Sequence, residues 1–114
     1  MNSSRKEAIR AYKERKPERG IFAIRCLPTA DVWVESSPDL PAASNRIFFL
    51  LQLGDRFLEK SAVENFSAHG RDAFSFEILE TLDEEINPLT VKDVLKERKL
   101  HWAAHLTAKK LTPA

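Results

Sequence analysis

Apolar positions between residues 20 and 37 fall into two short runs of strand character, Gly20-Ile21-Phe22-Ala23-Ile24 and Val32-Trp33-Val34, joined by a segment containing Pro28. In the first, Phe22 and Ile24 alternate with Ile21, Ala23 and Arg25, which predicts a strand from about Gly20 to Arg25. The second, from Val32 to Ser36, is built of aromatic and β-branched residues that suit a pleated surface. Together they predict a hairpin. Further on, Phe74-Ser75-Phe76-Glu77-Ile78-Leu79 alternates again and predicts a third strand, which must pair with an edge of that hairpin.

The intervening segments carry helical signals. Ser4-x-x-Glu7 has the form of a capping box and opens a helix through about Lys16, with Ala8, Ile9 and Tyr12 on one face; Pro17 and Gly20 end it. A second helix runs from near Pro41 to Leu53 and stops at Gly54-Asp55. Its Ile47, Phe48, Leu50, Leu51 and Leu53 occupy more than one face, so it should pack between the sheet and another element. Ser61-x-x-Glu64 starts a third, with Ala62, Val63 and Phe66, ending at His69-Gly70. After an acidic loop and Asn87-Pro88, Thr90 caps a last helix with Val91, Val94, Leu95, Arg98 and Trp102 near one stripe. The expected class is α/β in the α+β sense: a small three-stranded antiparallel sheet flanked by helices, in one domain over residues 1–114.

Composition narrows the setting. A chain of 114 residues can bury about two-thirds of its unfolded surface without staples. No apolar run approaches the ~20 residues of a membrane span, and Met1-Asn2-Ser3-Ser4-Arg5-Lys6 has no apolar segment, so neither membrane insertion nor a signal peptide is expected. The one cysteine, Cys26, excludes an internal disulfide; its expected state is a buried or turn thiol, and the expected location is cytoplasmic.

The formal net charge of +1 conceals segregation. Arg5, Lys6, Arg10, Lys13, Arg15, Lys16 and Arg19 face only Glu7, Glu14 and Glu18 in the N-terminal segment, and Lys92, Lys96, Arg98 and Lys99 make the last helix basic. Glu77, Glu80, Asp83, Glu84 and Glu85 lie between. Basic stretches of this kind can face phosphates, and they also occur as solvated helix faces. Other chemistry is thin. His101 and His105 have the i, i+4 spacing of a zinc-binding pair but no third ligand near in sequence. Ser36 and Ser37 lack a nucleophile elbow, and the chain has no Gly-rich phosphate loop.

The triplets Gly20-Ile21-Phe22 and Trp33-Val34-Glu35 resemble the paired signature of the GIY-YIG nuclease family, and the resemblance runs from about residue 20 to 102. Ser36-Ser37-Pro38-Asp39-Leu40, Gly54, His69-Gly70, the phrase Phe74 to Glu80 and Trp102 fall in that family's order, and Asn45-Arg46 is similar to a pair in a bacterial branch. The resemblance implies a GIY-YIG endonuclease-like fold, DNA as a partner, and phosphodiester cleavage assisted by Mg or Mn. It also implies four working parts: two tyrosines around the attacking water, an arginine on the first long helix to clamp phosphate, and a metal-holding glutamate on the last helix.

At those positions stand Phe22, Trp33, Ala43 (or Arg46, if the helix begins later) and Lys99, while Glu35 replaces the second triplet's glycine. Phenylalanine can neither donate nor accept a proton, and an indole only donates. The expectation is therefore a degenerate nuclease-like domain with no cofactor, keeping nucleic-acid affinity through Arg25, Arg46, Lys6, Arg10 and Lys13. Two alternatives stand beside it. One is an active metal-dependent endonuclease with an altered site formed by Glu35 as ligand or base and Arg46 as clamp. The other is a protein-interaction module that uses the acidic loop. Without a role in chemistry, Phe22 and Trp33 are core residues and Glu35 an exposed strand-end residue paired with a nearby Arg or Lys.

Overall fold

A computed structural model describes residues 18–83 and 85–112. The expected N-terminal helix, with Lys6, Arg10 and Lys13, lies outside the described residues. Within them the order is β1 (Gly20–Cys26), β2 (Asp31–Ser37), α1 (Leu40–Leu53), α2 (Lys60–His69), a 3-10 turn (Arg71–Ala73), β3 (Phe74–Thr81), α3 (Val91–His105) and β4 (Lys109–Lys110).

The hairpin forms as the alternation predicts: β1 and β2 are antiparallel, with Phe22 opposite Glu35 and Ile24 opposite Trp33. Strand β3 pairs antiparallel with the other side of β1. The expected count of three strands is corrected to four, in the order β3-β1-β2-β4, because β4 adds parallel to β2. Two lysines carry no alternation and little strand propensity, so the pattern could not reveal β4. Backbone bonding makes it: the chain turns at Thr107 (φ 51°), and beyond the strand the Leu111 N–H donates to the Val34 carbonyl at 2.9 Å.

Period-two alternation divides the core between the two sheet faces. Phe22, Ile24 and Trp33 pack against Ala43, Ile47, Phe48 and Leu51 of α1 and Ala62 of α2. On the opposite face Ile21, Ala23 and Val34 pack against Leu95, Val94 and Trp102 of α3. Gly20 is required where β1 meets β3. A Cβ there would lie 1.9 Å from the Glu80 carbonyl oxygen, beside a register irregularity between Ile21 and Phe22.

Helix ends refine the expected ones. Gly54, left-handed at φ 70°, closes α1 as its place in the sequence suggests. α2 is capped by Glu59, whose carboxylate accepts the Ser61 N–H, not by Ser61 itself. Thr90 stands at the start of α3 but makes no side-chain cap; its hydroxyl donates to the Asn87 carbonyl. No helix among the described residues is long and apolar enough to cross a membrane.

Candidate functional site

The signature positions converge, because β1 and β2 pair in register and α1 folds back over the same sheet face. Phe22, Glu35, Ser36, Ala43 and Arg46 line one cleft of about 240 Å³. Phe22 is 2% exposed and its ring stacks on Phe76 with centroids 4.9 Å apart. Trp33, 1% exposed, stacks on Phe74, and its indole N–H donates to the Ser61 hydroxyl at 2.9 Å. Ser61 Oγ in turn donates to Glu59. That bond is the main cause holding the Glu59 carboxyl below its ordinary value. Both aromatic residues thus serve the core. Ala43 is buried as well, while Arg46 on the same helix is exposed at the rim.

Glu35 departs furthest from the expected exposed residue. It is 8% exposed, and both carboxylate oxygens accept from Lys99 Nζ at 3.1 Å. Lys99, on α3, is 2% exposed. Thr112 completes the arrangement: its N–H and hydroxyl donate to Glu35 Oε1, while its carbonyl and hydroxyl oxygens lie 3.2 and 3.1 Å from Lys99 Nζ. The Ser36 N–H and hydroxyl donate to Glu35 Oε2. A buried ion pair persists only with such saturation, because desolvating two charges costs several kcal/mol each.

Glu35 and Lys99 are both visible in the sequence as departures, but nothing in their spacing pairs them; Thr112 carried no signal at all. The only clue was that one unexpected anion and one unexpected cation occur together.

Beyond this partition lies a second cleft of about 460 Å³, which shares Glu35, Ser36, Pro38 and Thr112 with the first and is lined on α3 by Lys92, Asp93 and Lys96. Lys92 and Lys96 are exposed. Arg46 and these two lysines therefore flank the same Ser36–Pro38 rim from opposite sides. Arg25 does not join them. Alternation turns it to the α3 face, where its Nε lies 3.2 Å from Glu77 Oε2.

A divalent metal does not fit this site. The lone carboxylate of the cleft is occupied by an ammonium and four protein donors, and a cation would meet Lys99 where it needs oxygen ligands. His101 and His105 stack with centroids 6.1 Å apart, and no group of three or more metal-ligating side chains occurs among the described residues. Chemically, the two clefts offer phosphate the donors of Arg46 on one side and Lys92 and Lys96 on the other, while their shared carboxylate is engaged and the Phe22 ring cannot move a proton.

No protein-family model matches the chain, and no curated protein matches it in sequence. Solved structures do. The catalytic domain of the homing endonuclease I-TevI aligns with a TM-score of 0.65 and 28% identity, over 81% of this chain and 96% of that one. A glutamate-to-alanine variant of the catalytic domain, described as that of the intron endonuclease I-TevI, gives a TM-score of 0.67 and 27% identity over 85% and 94%. The fold of this chain is GIY-YIG-like.

Proposed function

We propose that this chain is a single nuclease-like domain of GIY-YIG plan that binds nucleic acid without efficient phosphodiester cleavage. One observation carries the reading: the Glu35 carboxylate, which a rebuilt site would need as metal ligand or base, is buried against Lys99 and Thr112. Phe22 supplies no hydroxyl beside it. The likeness to an endonuclease catalytic domain makes DNA the natural partner, and Arg46, Lys92 and Lys96 supply exposed cationic donors around the Ser36–Pro38 rim. Lys6, Arg10 and Lys13 extend the basic surface if the N-terminal segment lies against the same polyanion.

The convergence of Arg46 and Glu35 on one cleft favours a second reading, an active endonuclease that uses Mg or Mn. It requires Lys99 to leave Glu35. The two readings separate in one experiment: purified protein is titrated against duplex and branched DNA over a salt series, then incubated with either metal. Salt-sensitive binding without nicking supports the first, and metal-dependent nicking supports the second.

A further inference from the structure

A cavity of about 740 Å³ lies away from the signature residues, between the α1–α2 loop, the C-terminal half of α3 and β4. Its walls include Phe57, Leu100, Ala104 and Leu111, and Arg56 and Lys109 stand exposed on its rim. Phe57 is 79% exposed and Leu100 46%, an unusual display of large apolar side chains. The acidic lining residue Glu59 is already engaged by Ser61.

The complementary feature sits at the other end of α3. Leu89 is 88% exposed in the β3–α3 loop, which also carries the exposed carboxylates Asp83 and Glu85. Described residues of this loop bond to one another: Glu85 N–H to Asp83 Oδ1 at 2.8 Å, Leu89 N–H to Asn87 Oδ1 at 2.9 Å, and Thr90 N–H to the Asn87 carbonyl at 2.9 Å. Residues held by such bonds lose less entropy on docking.

We infer that a second copy of this chain docks its Leu89 loop into this groove, Leu89 against Phe57 and Leu100, with Asp83 and Glu85 facing Arg56 and Lys109. The loop and the groove of one molecule do not meet, because residues 91–99 of α3, about 13 Å of helix, stand between Leu89 and Leu100. Because loop and groove are different patches, the contact is either made twice about a two-fold axis, closing a dimer, or made once head-to-tail, extending past it. One loop buries less than the roughly 1,200 Å² of a stable interface, so assembly is weak and depends on concentration and salt.

Sedimentation of the full chain at rising concentration tests this, with two variants, Leu89→Asp and Phe57→Asp. Both residues are exposed, so both variants should fold, which circular dichroism checks. The wild type should rise above its 13.0 kDa monomer mass at high micromolar concentration, and added salt should reverse the rise. Neither variant alone should associate, but their mixture, which retains one intact loop and one intact groove, should form a dimer and stop there. A wild type that stays monomeric into the millimolar range, variants that associate like the wild type, or a mixture that stays monomeric would each overturn the inference. A different protein that fills the groove would appear as the first of these.

Discussion

Lys99 Nζ lies 3.1 Å from each carboxylate oxygen of Glu35, linking α3 to β2 through charges that are nearly inaccessible to water. Removing one partner leaves the other buried and unpaired, so Lys99→Ala should cost about 3–5 kcal/mol of stability by chemical denaturation. Replacing both residues, as in Glu35→Leu with Lys99→Met, should recover most of that loss. A double variant as unstable as the single one would show that Thr112 and Ser36, not charge burial, dominate the node.

Gly20 should prove structural. Gly20→Ala places a methyl 1.9 Å from the Glu80 backbone oxygen and 3.0 Å from Leu40 Cδ1. Relieving such an overlap means moving β1 from β3, at about 1–3 kcal/mol or more. The urea midpoint should fall accordingly; an unchanged midpoint would contradict the close approach.

These two residues mark how far the sequence could be read. Gly20, the alternation of Phe22 with Ile24 and the glycine stop at Gly54 are local signals, and they announced the hairpin, the first long helix and the sheet face on which the signature positions gather. The Lys99–Glu35 pair joins residues 64 positions apart, and no local period encodes a contact of that kind. Likewise β4 forms along the outer edge of β2, and Arg25 meets Glu77 of the neighbouring β3, 52 positions away.

Acid should reveal Glu80. Burial pushes its carboxyl up, but hydrogen bonds from Trp102 and Arg98, with the charges of Arg98 and His101, outweigh burial and hold it below the ordinary value of 4.5. A group depressed in the folded state stabilises fully above its unfolded value, and that stability fades as pH falls through the folded one. Thermal stability should therefore decline as pH drops below about 5, with a shallower decline in Glu80→Gln. Parallel curves would remove Glu80 from the account.

Salt dependence of nucleic-acid binding should sort the arginines. Arg46→Ala should lower the slope of log affinity against log salt by about one, the signature of one lost phosphate contact. Arg25→Ala should leave that slope unchanged, because Arg25 is paired with Glu77 and lines neither cleft. The reverse result would move the binding surface away from the Ser36–Pro38 rim.

Cleavage is the most direct measurement. Purified protein, at concentrations where binding to duplex or branched DNA is established, is incubated with Mg or Mn and the DNA is followed for nicks. The proposal predicts intact DNA with both metals, and the same outcome for Arg46→Ala. Metal-dependent nicking by the wild type that disappears in Arg46→Ala would contradict it, and would mean that Lys99 releases Glu35 when substrate binds.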